Sequence, residues 1–117
     1  MEPVKVGVIG VGHLGHHHAR VYTELFGTQL VGVVDLDEER AASIGEGLGV
    51  PFYSSLDRFF ETAKPDAVSV VVPTVLHYEI ARQALERGIH VLIEKPVTTT
   101  VLEAEDLLRL AAKKNLV

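Results

Sequence analysis

Cysteine is absent from this 117-residue chain, which excludes a disulfide framework, a thiolate zinc site and a thiol nucleophile. An excess of cations is absent too. Lys and Arg number 11 against 16 Asp and Glu, a formal charge of −5, and no basic cluster exceeds Lys113-Lys114. Without a basic face there is no footprint for a phosphate backbone, so nucleic acid is not an expected partner. The apolar runs fall far short of the roughly eighteen residues that suggest a membrane span. Met1 leads into the first strand pattern with no signal-peptide pattern, so the expected location is cytoplasmic, without a membrane partner. What is present is ordinary for a globular protein: 47% apolar and 23% charged residues, with no low-complexity linker. The expectation is one domain over 1–117, large enough for a real core.

Strand and helix patterns alternate along the whole chain, which predicts an α/β fold of the doubly wound, Rossmann type: a parallel sheet in three layers, α/β/α. Strands are expected over 4–9 and 29–35, with a helix between them that places Leu14, His18, Val21 and Leu25 on its apolar face. A helix over 38–48 carries Ala41, Ile44 and Leu48, and Gly49 and Pro51 then break the chain. Phe52-Tyr53 reads as a short strand, and Leu56, Phe59 and Phe60 as a short helix. The run Ala67-Val68-Ser69-Val70-Val71-Val72 is apolar on both faces, as a central parallel strand must be, and Pro73 ends it. A helix over 74–87 buries Ile80, Ala81, Ala84 and Leu85, Gly88 stops it, and 90–94 is the fifth strand. Thr100 and Glu103 form a capping box for a last helix bearing Ala104, Leu107, Leu108 and Ala111. Leu116-Val117 reads as the start of a sixth strand that is truncated, so the chain is expected to be a fragment.

Gly10, Gly12 and Gly15 stand in G-V-G-H-L-G directly behind the first strand pattern, and Asp35 ends the second about twenty residues later. Each glycine has its own reason: Gly10 turns the chain, Gly12 lets backbone approach a pyrophosphate, and Gly15 lets helix pack on strand. The loop of Gly10, Gly12, His13, Leu14 and Gly15 would then present free amides at a helix N-terminus to the phosphates. A glycine-rich turn that binds nothing is the competing reading, and the strand before, helix after and acid at the right distance weigh against it. Asp35 can accept from both hydroxyls of an adenosine ribose and would repel a 2′-phosphate, which favours NAD over NADP. Arg40 lies close enough in sequence to soften that exclusion.

His16-His17-His18, with His13 and His17 at i and i+4, invites a metal reading. Adjacent helical residues point roughly 100° apart, so three in a row do not converge on one ion, and no metal site is expected. His18 reads as a satisfied, partly buried histidine. His77 is open between a cofactor or substrate contact and a surface histidine, and Thr74 between a helix cap and a cofactor contact.

Val72-Pro73-Thr74-Val75-Leu76-His77 and above all Glu94-Lys95-Pro96 resemble the N-terminal domain of the Gfo/Idh/MocA oxidoreductases, and the resemblance covers essentially the whole chain. It implies an NAD(P)-dependent dehydrogenase acting on a hydroxyl of a sugar, inositol or sugar nucleotide. It also implies a C-terminal substrate domain that this chain lacks, so that the isolated chain would be inactive. By that resemblance Lys95 is the catalytic lysine, Glu94 lies against the nicotinamide ribose, and Val72, Pro73, Thr74, His77 and Pro96 belong to the cofactor site, Pro96 as a candidate cis proline. Chemistry alone makes the lysine sensible: a carbinol gives up hydride only as its hydroxyl loses a proton, and a cation or base beside that oxygen lowers the barrier. A solvated strand-end lysine is the alternative. The Val-Pro-Thr-x-Leu-His and Lys-Pro-Val-Thr-Thr-Thr variants are similar to those of sugar-nucleotide 3-dehydrogenases.

A stand-alone nucleotide-binding module, a redox sensor or a coenzyme A-binding domain, is the rival function. Asp35 weighs against coenzyme A, whose 3′-phosphate would meet the carboxylate, and E-K-P weighs against a sensor. A homo-oligomer is also expected, because a sheet without its sixth strand leaves an unpaired edge at 90–94.

Overall fold

A computed structural model describes residues 2–117, and Met1, with the expectation that the chain runs from it into strand, lies outside the described residues. The elements are β1 (Val4–Ile9), α1 (His13–Glu24), β2 (Thr28–Val34), α2 (Glu38–Leu48), β3 (Phe52–Tyr53), α3 (Leu56–Ala63), β4 (Ala67–Val70), a 3-10 turn (Thr74–Leu76), α4 (His77–Glu86), β5 (His90–Ile93) and α5 (Val101–Lys113). The five strands form one sheet in the order β3-β2-β1-β4-β5, and every pairing is parallel. This is the Rossmann-type α/β fold. Strand order reverses between β1 and β4, so the loops leaving them part and open a crevice at the carboxyl edge of the sheet.

The period of two along the strands, broken in β2 where the register against β1 shifts after Leu30, divides the core. Val6, Val8, Leu30 and Val33 face Ala19 of α1, with Ile44 and Leu48 of α2 packed against them. Ile9, Val34, Val68 and Val70 face Phe59 and Phe60 of α3 and Ala84 of α4. Leu107 of α5 packs on Ala81 and Leu85 of α4. Phe59 is wholly buried because Gly7 and Gly32 leave room for its ring, and a Cβ on Gly7 would stand 2.2 Å from Phe59 Cζ.

Several boundaries and faces differ from expectation. The fourth strand ends at Val70 and the fifth at Ile93, so Glu94 begins the turn beyond the sheet. The helix expected from position 74 starts with a 3-10 turn capped by Pro73, which offers no side-chain bond, and Thr74 caps nothing. On α1 the buried positions are Gly15 and Ala19, while Leu14, Val21 and Leu25 are largely open. Close contact between helix and sheet admits only small residues, so the larger ones are displaced to the flank. Leu108 is 71% exposed because Leu107 already fills the contact with α4. Thr100 does cap α5 by accepting from Glu103 N–H, but the Glu103 carboxylate accepts from the Thr99 hydroxyl instead of closing the box. Val91 N–H donates to Val117 O, so the chain end lies beside the start of β5.

Candidate cofactor site

A cleft of about 440 Å³ opens at the crevice, lined by Gly10 and Gly12 after β1, Asp35 and Leu36 after β2, and Val71, Val72 and Pro73 after β4. Arg40, Leu56, Leu76 and Ile80 complete its walls. Its size and mainly apolar lining, with a few polar groups at defined places, suit an organic ligand.

The three glycines hold the loop in three ways. Gly10 has φ +92°, and a Cβ there would lie 2.2 Å from the Val71 carbonyl oxygen. A Cβ on Gly15 would lie 1.8 Å from the Gly10 carbonyl oxygen, so α1 sits on its own loop only because residue 15 has none. Gly12 differs: a Cβ there meets nothing within 4 Å, and the space belongs to the cleft. Gly12 is also the N-cap of α1, without a side-chain cap and with no acid in the first turn. The amides of His13, Leu14 and Gly15 therefore open a helix whose dipole favours an anion.

Asp35 stands just past β2. Its Oδ2 accepts from Val11 N–H at 3.0 Å and its Oδ1 from Asp37 N–H at 2.9 Å. These donors fix the carboxylate between the phosphate loop and the β2 turn, and an ionised carboxylate still has lone pairs for further donors. The Arg40 guanidinium is 3.6 Å from Asp35 Oδ2. The apolar walls of Leu36, Leu56, Leu76 and Ile80 were not read from the sequence; an apolar residue, Leu36, directly after Asp35 and before Asp37 was the available signal.

At the other end of the crevice the Glu94-Lys95-Pro96 turn follows β5. The Lys95-Pro96 peptide is cis, and Lys95 is exposed. Glu94 Oε1 is 2.8 Å from Nε2 of His18. His77 is not a surface histidine: it is 1% exposed, and its ring spans the end of β4 and the turn. Its Nε2 lies 2.8 Å from the Val72 carbonyl oxygen, and its Nδ1 lies 2.9 and 3.0 Å from those of Pro96 and Val97. Gly10, Gly12, Asp35, Val72 and Pro73 thus share the cleft, while His77 is buried behind it and Glu94 and Lys95 stand on the neighbouring turn. His13, His16 and His17 are exposed on α1, and no group of three metal-binding side chains occurs among the described residues.

Fold and loop together define a dinucleotide-binding domain, and the donor set fits NAD: a cradle that a Cβ on Gly12 would enter, anion-seeking amides, and a fixed carboxylate for ribose hydroxyls. The family model for the Gfo/Idh/MocA oxidoreductase family, NAD-binding Rossmann fold, matches residues 4–117, and the chain belongs to that family. The chain is 43% identical over all 117 residues to a UDP-N-acetylglucosamine 3-dehydrogenase of Acidithiobacillus ferrooxidans, of which it spans 36%. The solved structure of that dehydrogenase superposes on all of this chain, and on 37% of its own, with a TM-score of 0.92. An inositol 2-dehydrogenase of Saccharopolyspora erythraea is 40% identical over 92% of this chain and 31% of its own length. GenD2 from gentamicin A biosynthesis, solved in complex with NAD, is 31% identical with a TM-score of 0.95 over 100% of this chain and 34% of its own. The chain therefore spans about a third of the length of these relatives.

Proposed function

We propose that this domain serves an NAD-dependent dehydrogenase acting on a hydroxyl-bearing carbon of a sugar, inositol or sugar nucleotide, with further chain supplying the substrate-holding domain. The observation that carries the reading is Lys95, an exposed cation on the turn after β5, at the same edge of the sheet as the glycine loop and Asp35. Support for the substrate class comes from the relatives, a UDP-N-acetylglucosamine 3-dehydrogenase and an inositol 2-dehydrogenase.

In this reading the amides of Gly12, His13 and Leu14 hold the pyrophosphate, and Asp35 accepts from the adenosine ribose. Leu36, Leu56, Leu76 and Ile80 bound the adenine, and Val72, Pro73 and Thr74 form the floor toward the nicotinamide. Glu94 accepts from the second ribose. Bound nicotinamide supplies the hydride chemistry. Lys95 stabilises negative charge on the substrate oxygen and assists the proton's departure as the carbinol becomes a carbonyl, a contribution of about 10²–10⁴-fold for a well-placed group. It does so only when the hydroxyl is held in register, which is the task left to the further domain.

In the longer protein carrying this domain, Lys95→Ala should lower kcat by about a hundredfold or more and leave NAD affinity within about threefold. Unchanged kcat, or a loss confined to NAD binding, would remove Lys95 from the chemistry. The 117-residue chain alone should show negligible turnover with NAD and polyols or sugar nucleotides.

A further inference from the structure

Three adjacent histidines on α1 have three different surroundings. His16 and His17 are exposed, with their rings stacked at 6.2 Å. His18 turns inward beside Ala19, which is fully buried, and reaches across 76 positions of sequence to Glu94. Side chains of β5 alternate, so Leu92 and Glu94 emerge on the α1 side of the sheet, and Leu92 shares a groove with His18.

We propose that His18 is a positioning residue for the nicotinamide end of the cofactor site, acting through Glu94; the proposal rests on the reading of Glu94 as a ribose acceptor. A glutamate side chain has three freely rotating bonds, and a carboxylate left to itself samples many directions. The 2.8 Å bond from His18 Nε2 fixes one oxygen. The side chain remains 30% exposed, which leaves the other oxygen for a ligand hydroxyl. Pre-ordering an acceptor in this way removes an entropy cost from binding. The main chain of the same turn is held independently, by His77 against the Pro96 and Val97 carbonyls.

The origin of His18 gives the contact its reach. It lies on the helix whose first amides form the phosphate cradle, little more than one turn away. A rigid helix and one hydrogen bond therefore set the span between the pyrophosphate subsite and the second-ribose subsite. Packing alone does not require the imidazole, because the buried seam of α1 is supplied by Gly15 and Ala19.

The test compares NAD with ADP, which keeps the adenosine and pyrophosphate and lacks the second ribose and the nicotinamide. Both are titrated by calorimetry into this chain and into His18→Leu, His18→Gln and Glu94→Ala. His18→Leu should weaken NAD about tenfold and ADP less than about twofold, the loss expected for a hydrogen bond to a charged group. His18→Gln, whose amide N–H replaces the ring donor, should return NAD to within about threefold of the original affinity. Adding His18→Leu to Glu94→Ala should cost nothing further, because one acts through the other. Equal weakening of NAD and ADP would make His18 a packing residue and overturn the proposal. So would an unchanged NAD affinity in His18→Leu when Glu94→Ala is weakened, which would leave the Glu94 reading intact. If Glu94→Ala binds NAD normally, the Glu94 reading itself falls and the role of His18 with it. Should His18→Leu fail to fold, His18→Asn, whose shorter amide does not span the gap, takes its place.

Discussion

Gly12 has open space where a Cβ would stand, whereas Gly10 and Gly15 have backbone oxygens there. A side chain at position 12 should therefore enter the cleft without disturbing the fold. Gly12→Val is expected to leave the circular dichroism spectrum and thermal midpoint nearly unchanged and to reduce NAD affinity by about a hundredfold, since it occupies the path of the pyrophosphate. Affinity retained within about twofold would show that the loop does not approach phosphate. The placing of these glycines and of Asp35 at one edge was legible in sequence because turn, close approach and strand end follow from backbone geometry at a fixed spacing. The surroundings of His77 were not. A histidine at the start of a helix reads the same whether its ring meets solvent or three carbonyl oxygens, and two of those oxygens, of Pro96 and Val97, come from residues distant in sequence.

At the scale of elements, helix order and strand order followed from alternating patterns and turn residues, but the packed face of α1 did not. The spacing of Leu14, Val21 and Leu25 marks a stripe, yet the helix approaches the sheet along Gly15 and Ala19. Size misleads where layers lie close, because the nearest contact selects the smallest residues. Gly7 and Gly32 follow the same rule in the strands, where the ring of Phe59 replaces the missing side chains. The α4–α5 contact carries a pH signature. Tyr78 Oη donates to Asp106 Oδ2 at 2.7 Å, and this hydrogen bond, with smaller help from desolvation, holds the phenol pKa above its ordinary value of 10.0. A raised folded-state pKa means that the folded chain keeps the proton longer than the unfolded one. The contribution to stability is then fully present below about pH 10 and is lost as pH rises through the raised value. Thermal midpoints followed from about pH 8 to 11 should fall more steeply for the parent chain than for Tyr78→Phe. Parallel curves would show that the bond contributes nothing that titrates.

At the scale of the whole molecule, the strand order of the parallel sheet reverses between β1 and β4, and the glycine loop, Asp35 and the E-K-P turn all stand at its carboxyl edge. That arrangement was legible because parallel strands joined by right-handed crossovers leave few topologies open. The apolar walls of the cleft and the bond from His18 to Glu94 were not, since they join segments that meet only after the sheet has formed. This edge suits NAD, and we propose that Asp35 sets the choice of cofactor. Its carboxylate is held by Val11 and Asp37 amides and cannot swing away from a 2′-phosphate, although the Arg40 guanidinium stands 3.6 Å from it. Parallel calorimetric titrations of NAD and NADP into the chain, at one ionic strength, measure this directly. NAD should bind tighter than NADP by about tenfold or more, and NADP binding as tightly as NAD, or more tightly, would remove Asp35 as the determinant of the choice.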